Sequence, residues 1–335
     1  MNRVITLDHG SGGRQSHDLI ESLFAERFGM DKPLTDSAVL PAEGFTLAFT
    51  ADSYVVDPLF FSGGNIGKLA ICGTVNDLAV SGAVPSFLSA SFIIEEGFGI
   101  DELRIIVDTM AEEASKAGVR IVTGDTKVVG RGKCDKLFIS TSGTGLLKSC
   151  KEHIGSGRRV KPGDRIIVSG SLGNHAIAVL GARNELGFIS PVESDCACLN
   201  HMIRDVLDSG VDVHFMRDLT RGGLASVLHE LAAMTGSGIR INERSVPVDE
   251  PVRGLCEVLG FDPLYLANEG KIILVADEND SPVIVNILRS HLSGKNASVI
   301  GEITSEKAGN IVLETSGGGR RIMDLPSGIQ LPRIC

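Results

Sequence analysis

The sequence predicts two consecutive α/β domains followed by an irregular tail, and three observations carry that prediction. Short apolar runs alternate with helical periodicities in both halves of the chain. At 335 residues the chain exceeds what a single hydrophobic core usually holds. A polar stretch, KEHIGSGRRVKPGD over 151–164, interrupts the pattern near its middle, so the first domain is read as 1–155, the second as 156–319 and the tail as 320–335.

In chain order, SHDLIESLFAERFG places Leu19, Ile20, Leu23, Phe24 and Phe28 on one helical stripe, with Ser16 as N-cap and Gly29 as stop; this reads as a surface helix packed on a core. FTLAFTAD and VRIVTGD are short apolar runs ending in Asp52 and Asp125, the pattern of buried strands that deliver a carboxylate to their ends. Between them, NIGKLAICGTVNDLAVSGA is apolar or small all round, so it predicts a helix buried on most sides. DELRIIVDTMAEEASKAG repeats Leu103, Ile106, Val107, Met110 and Ala114 before stopping at Gly118. The second half repeats this grammar: strands at 165–170, 211–216, 271–276, 298–303 and 310–314, and helices over 174–187, 195–210, 221–236 and 280–294. After Gly319 nothing is periodic, and DLPSGIQLPRIC reads as a flexible tail ending in Cys335.

Composition narrows the function. With 43% hydrophobic and 22% charged residues the chain is an ordinary globular protein. The net charge of −10 argues against nucleic acid as a partner, since phosphate backbones require clustered Lys and Arg. No apolar run suffices for a signal peptide or membrane span, so a cytoplasmic protein without membrane contact is expected. Seven irregularly spaced cysteines suit a reducing compartment. Cys196 and Cys198 read as ordinary positions of an amphipathic helix, because no second Cys/His pair completes a tetrahedral metal set.

Asn76 and Asp77 fall inside the predicted buried helix, where a carboxylate must be paired, hydrogen-bonded or metal-bound to stay charged. A structural ion pair would satisfy that demand. So would a metal, because Asp52, Asp77 and Asp125 on one sheet rim form the oxygen set a hard cation such as Mg²⁺ takes, and no His or Cys accompanies them. Asp36 is either a fourth ligand or a turn cap. Three glycine-rich loops, DHGSGGRQS with Gly12, GSLGNHA, and DLTRGGLAS with Gly222 and Gly223, fit plain turns or backbone cradles for phosphate. None is a Walker A or dinucleotide fingerprint. Asp218 and Arg221 add a metal ligand and a phosphate clamp to the third. Lys127, two residues past Asp125, and Glu269 in LANEGK are charged groups beside predicted strand ends. Cys335 neighbours its own α-carboxylate, which disfavours a thiolate; a loaded carrier thiol fits better than a redox sensor.

DHGSGGRQS, the run from TDSAVL through CGTVNDLAVSGA, VTGDTKVV, DLTRGGLA, NEGK and the terminal PRIC together resemble, over essentially the whole chain, the HypE family of hydrogenase maturation factors. That family lies within the superfamily of aminoimidazole ribonucleotide synthetase (PurM), selenophosphate synthetase and thiamine monophosphate kinase. PRIC distinguishes the family, whereas the other motifs are shared by the superfamily. The resemblance implies two PurM-like domains and a homodimer whose N-terminal strands pair across a two-fold, with ATP near that interface. It implies Mg²⁺–ATP ligands at Asp52, Asp77, Asp125 and Asp218, with Asp36 beside them. Nucleotide contacts would come from Gly12, Asn76, Gly124, Asp125, Thr126, Arg221, Gly222 and Gly223, and Lys127 and Glu269 would flank the entering tail. The implied activity is ATP-dependent dehydration of a carbamoyl group on Cys335 to a thiocyanate. HypF would load the thiol, and the HypC–HypD complex would receive cyanide for [NiFe]-hydrogenase iron.

Two other readings fit the residues. One is a small-molecule ATP-dependent synthetase of the same superfamily; selenophosphate synthesis fits poorly, because DHGSGGRQS has no Cys or selenocysteine. The other is a nucleotide-binding assembly protein whose tail docks without chemistry.

Overall fold

The computed structural model describes residues 4–30, 32–183, 190–306, 308–325, 331 and 333–335. The N-terminal stripe forms as Arg14–Leu19 (α1), a π-helical stretch Ile20–Ala25 and Glu26–Phe28 (α2), stopped by Gly29 in the left-handed conformation. It does not pack on a core: Ile20, Leu23, Phe24 and Phe28 are 40–73% exposed. The π-turns break the 3.6-residue period that the stripe relied on. Gly13, not Ser16, is the N-cap; Ser16 is buried inside the first turn, where its Oγ accepts the Gly12 N–H at 2.9 Å.

Ala38–Ala42 (β1) and Phe45–Tyr54 (β2) open the first sheet, and Phe60–Phe61 (β3) and Gly64–Asn65 (β4) form a small ribbon. Ile66–Val80 (α3), Ala83–Glu95 (β5), Ile100–Ala117 (α4), Arg120–Val129 (β6) and Leu137–Leu147 (β7) follow. The five-stranded order is β1-β2-β7-β5-β6, antiparallel except for β5 with β6. Asn65 caps α3, its Oδ1 accepting from Gly67 N and Lys68 N. As its all-round apolar sequence requires, α3 is buried along nearly its whole length, and with α4 it covers one face of the sheet through Leu69, Val75, Ile106 and Met110.

Among the described residues nothing covers the opposite face. Register places Leu40, Leu47, Leu146 and Val84 in one row across it and Phe49, Thr144 and Phe87 in the next, and most of these apolar side chains are exposed. The edge strand β6 is exposed from Arg120 to Val128, which corrects the expectation of a buried strand at 119–125.

The second half holds Arg165–Val168 (β8), Asn174–Ala182 (α5), Asn200–Asp208 (α6), Val213–Asp218 (β9), Gly223–Thr235 (α7) and Gly238–Asn242 (β10). Glu250–Leu259 (α8), Ile272–Ala276 (β11), Ser281–Ser290 (α9), Ser298–Thr304 (β12), Ile311–Glu314 (β13) and Arg320–Met323 (β14) complete it. Its seven strands run β14-β13-β10-β12-β8-β11-β9. Both faces are covered, one by α7 through Leu224, Leu228 and Leu231, the other by α6 and α9 through Ile203, Val206, Ile284 and Leu288. Ala79 and Val80, at the end of α3, enter the second of these cores and join the halves.

Two further expectations are corrected. The helix read over 195–210 begins only at Asn200, and 190–199 is irregular, so Cys196 and Cys198 are not helix positions. Residues 320–323 pair with β13 as a strand, so the chain leaves the sheet later than Gly319. Part of the predicted tail, 326–330 and 332, lies outside the described residues, as does 184–187 of the helix expected over 174–187. Among the described residues no helix is long and apolar enough to cross a membrane.

Candidate active site

Four predicted carboxylates meet where the two halves touch. Asp36 precedes β1, Asp52 lies in β2, Asp77 in α3 and Asp218 ends β9. Alternation along β2 turns Thr46, Ala48, Thr50, Asp52 and Tyr54 to the helix-covered face, which is why Asp52 points inward. Thr50 Oγ1 donates to Asp77 Oδ2 at 2.7 Å, Tyr54 Oη donates to Asp52 Oδ2 at 3.2 Å, and Ser37 Oγ donates to the Asp77 carbonyl at 2.9 Å. Arg217 Nε lies 3.0 Å from Asp36 Oδ2, and its Nη1 lies 2.6 Å from Glu230.

Burial and mutual repulsion dominate this cluster. Burial raises Asp52, and burial together with neighbouring aspartates pushes Asp77 and Asp218 well above the carboxylate range. Asp36 is pushed up to about 7, chiefly by burial and against the pull of Arg217. Such oxygen donors, too many for the cations beside them, match what a hard divalent ion takes.

Glu269 stands beside them just before β11, 3% exposed, with Oε1 buried and unpartnered among the described residues. Burial, then Asp218 and Asp195, raises its carboxyl well above the ordinary range. Its loop is held by Asp195, whose carboxylate accepts from Glu269 N and Gly270 N and pairs with Lys271 at 3.2 Å. Asn268 braces the same loop, accepting from Gly173 N and donating to the Leu219 carbonyl, so GSLGNHA and DLTRGGLAS are tied together here.

The N-terminal glycine loop lies over the third loop. Gly12 and Gly222 both have positive φ, and a Cβ on Gly12 would sit 2.9 Å from Arg221 Cβ. Ser226 Oγ donates to the Gly12 carbonyl at 2.9 Å and Arg221 Nη1 donates to the Gly10 carbonyl at 3.3 Å. Gly223 begins α7, and a Cβ there would lie 2.5 Å from the Leu266 carbonyl.

The tail ends inside this site. Ile334 is buried in the same core as Tyr54, Phe61 and Ile66. His175 Nε2 meets the Ile334 carbonyl at 2.8 Å, Val55 N donates to the Cys335 carbonyl at 3.2 Å, and Asp57 N donates to the Arg333 carbonyl at 3.2 Å. Arg333 is itself held by the Val55 carbonyl, by an ion pair with Asp135, and by Arg183 Nη2 on its carbonyl. Burial pushes the Cys335 thiol up to about 12; Arg221 pulls it down, while Glu269, Asp52 and Asp218 push it further up. The sequence argument for a raised thiol pKa named the α-carboxylate, whereas here burial is the larger cause.

Other expected residues lie elsewhere. Asn76 is saturated by backbone: Nδ2 donates to Ala197 O at 3.0 Å and Glu269 O at 3.4 Å, and Oδ1 accepts from Leu199 N at 2.8 Å. It is a strut between the halves, held by backbone of the second half at Ala197, Leu199 and Glu269. Asp125, Thr126 and Lys127 sit on β6, where Lys127 pairs with Asp125 at 2.7 Å and both side chains are more than half exposed. Asp52, Thr141, Ala90 and Gly124 form one row, so Asp125 is a residue past that row and on the bare face, three strand spacings or about 14 Å across the sheet from β2. One chain therefore does not bring Asp125 or Lys127 to the aspartate cluster. Gly124 has a packing reason of its own, since a Cβ there would lie 2.0 Å from the Ala90 carbonyl.

Sequence reasoning missed His175, Asp195, Arg183 and Arg333. His175 and Arg333 fall inside motifs it quoted, but a contact to one's own distant tail has no local signature.

This fold and site define a two-domain protein of the AIR synthase type. The family described as AIR synthase related protein matches with its N-terminal domain over residues 34–147 and its C-terminal domain over 161–314, so the chain belongs to it. Within it, a carbamoyl dehydratase HypE from Rhodobacter capsulatus is 51% identical over 99% of this chain and 98% of its own length. A solved HypE–HypF complex superposes with a TM-score of 0.85 at 45% identity, covering 92% of this chain and 99% of that one. A HypE solved in complex with ATP superposes at 0.83 with 46% identity over 99% and 100%. The chain belongs to the carbamoyl dehydratase HypE family of hydrogenase maturation proteins, and it is an enzyme.

Proposed function

We propose that this protein uses ATP to dehydrate a carbamoyl group carried on its own Cys335, yielding a thiocyanate whose cyano group is destined for [NiFe]-hydrogenase iron. The observation that carries the reading is the seating of the terminal thiol among Arg221, Glu269 and the aspartate cluster. In the balanced reaction, the carbamoyl oxygen takes the γ-phosphoryl group and ADP leaves. Phosphate then departs from carbon as both nitrogen protons are removed, and the C–N bond becomes triple. Glu269, its carboxyl buried beside the thiol, is the base. Lys127 polarises the carbamoyl oxygen.

Asp36, Asp52, Asp77 and Asp218 would hold Mg²⁺, which when bound neutralises charge during phosphoryl transfer. Arg221 would clamp phosphate, with Gly12, Gly222 and Gly223 lining the cradle. ATP binding is supported by the relative solved with ATP, and loading of the thiol by HypF is supported by the relative solved with HypF. The protein acts as a homodimer: a second copy covers the bare face of the N-terminal sheet and supplies Gly124, Asp125, Thr126 and Lys127 to the site across a two-fold. Apolar rows on a face that would otherwise meet water support this arrangement. HypC–HypD receives the cyano group, in the cytoplasm, where free thiols such as these persist.

The test is intact-protein mass after incubation with HypF and carbamoyl phosphate, before and after Mg²⁺–ATP. The expected result is a gain of one carbamoyl group followed by loss of one water, both absent in Cys335→Ala. Failure of Cys335 to load while HypF is active would sink the reading.

A further inference from the structure

A second cluster of ligand atoms lies one helical turn before Asn76. Cys72 of α3 points at the irregular segment 190–199 and at α4: its Sγ is 3.5 Å from Cys198 Sγ and 4.0 Å from Glu113 Oε2. The ligand atoms of Cys72, Cys198 and Glu113 all lie within 4.8 Å of one another, and the buried Cys196 thiol neighbours Cys72 outside that set. Cys72 and Cys196 are buried, Glu113 is 8% exposed, and Cys198 is half-buried.

Free thiols pack as small hydrophobes, so three of them alone would need no explanation. Glu113 is different. It is a carboxylate taken from water at the end of an otherwise apolar stripe, with Oε1 on Lys116 at 2.8 Å and Oε2 turned to the thiols.

We propose that Cys72, Cys196, Cys198 and Glu113 form a binding site for a soft, four-coordinate cation of the zinc class. A tetrahedral ion with metal–sulfur bonds of about 2.3 Å has sulfur–sulfur edges of roughly 3.8 Å and sulfur–oxygen edges of roughly 3.6 Å. The observed 3.5 and 4.0 Å need adjustments of only a few tenths of an ångström. On binding, each of the three thiols loses its proton to solvent as a sulfur–metal bond forms, so uptake rises with pH. Lys116 and Lys68 offset the negative charge that remains. Thiolate donors separate this site from the all-oxygen aspartate cluster, which selects hard ions.

The site also has a mechanical meaning. α3 and α4 belong to the first half and 190–199 to the second, and the same segment is gripped by Asn76, by Asn200 Nδ2 on the Ala117 carbonyl at 2.8 Å and by His201 on the Lys116 carbonyl at 2.9 Å. A bound ion would staple the halves together beside Asp77.

The experiment is a Co²⁺ titration of the full chain carrying Cys335→Ala, which removes the tail thiol as a competing ligand. The expected result is a sulfur-to-cobalt charge-transfer band with four-coordinate ligand-field bands, saturating at one ion per chain and displaced by Zn²⁺ but not by Mg²⁺. Cys198→Ala, at the half-buried position, should abolish the band while circular dichroism stays unchanged, and Zn²⁺ should raise the melting temperature of the parent but not of this variant. The proposal is overturned if no band forms, if the band survives Cys198→Ala, or if Cys72 and Cys198 are recovered as a metal-free disulfide.

Discussion

The two halves of the candidate site differ in how finished they are. Asp36, Asp52, Asp77, Asp218 and Glu269 converge from separate segments of one chain and are buried or nearly so, each raised by burial and most by one another. Gly124, Asp125, Thr126 and Lys127 ride an exposed edge strand, where the Lys127 ammonium pairs with the Asp125 carboxylate. A buried surplus of carboxylates stores electrostatic cost until a cation arrives, whereas an exposed ion pair stores almost none. The first half is therefore built to bind, and the second is the part that the proposed dimer would bring to it.

The largest effect should come from the finished half. Asp77→Asn keeps the size and the Thr50 contact but removes an anionic oxygen, and ATP turnover on carbamoylated tail should fall on the order of 10²–10³-fold. An equal loss in Lys127→Ala is expected only if a second copy brings it. Mixing inactive Lys127→Ala with inactive Glu269→Ala should then restore about a quarter of wild-type activity, since half of the mixed dimers are heterodimers with one intact site each. No recovery on mixing, with dimers verified, would place Lys127 in the site of its own chain or outside any site.

Next in size is the strut between the halves. Asn76→Ala strips hydrogen bonds from Ala197, Leu199 and Glu269 in a buried setting and should cost about 2–4 kcal/mol in chemical denaturation. The KM for ATP should stay near wild type, which separates a strut from a nucleotide contact.

Legibility followed locality. The buried α3, the strand that carries Asp52, although it runs on to Tyr54, and the helix after Arg221 were readable because their periods are written in adjacent residues. Asp125 misled because the run VRIVTGD has the apolar content of a buried strand, yet β6 is an edge strand that pairs only with β5 among the described residues. Cys196 and Cys198 misled because a helical period continues upstream of where the helix starts. The convergence of Asp36, Asp77 and Asp218 was legible only as a list of candidates, since the contact between halves depends on Asn76, Asn268 and Asp195 gripping backbone far along the chain.

The carboxylate cluster should also show in pH. Asp36 has a folded pKa of about 7 against 3.8 unfolded, so its contribution to stability is fully present below about 4 and is lost as pH rises to 7; Asp52, Asp77 and Asp218 shift in the same direction. A dication takes the place of those protons. The rise in melting temperature produced by Mg²⁺ should therefore grow from pH 4 to about 7, and chelation should reverse it. A Mg²⁺ effect that is flat across that window would mean that the ion binds elsewhere.

The smallest effect tests how the unfinished site waits. His175 is buried and neutral, because burial lowers its pKa. Ser194 Oγ accepts from Cys196 N and so is free to donate to His175 Nδ1, which leaves the Nε2 proton for the Ile334 carbonyl. That last bond exists only while the tail is docked, so losing it costs docking and spares folding. His175→Phe should raise the rate at which Cys335 is alkylated about five-fold, the worth of one neutral hydrogen bond of about 1 kcal/mol. Peptide mass spectrometry separates Cys335 from the other thiols, and His175→Gln, which keeps a donor, should restore part of the protection. Unchanged alkylation in His175→Phe would leave the latch to the Arg333 contacts, the Val55 and Asp57 N–H groups and the burial of Ile334.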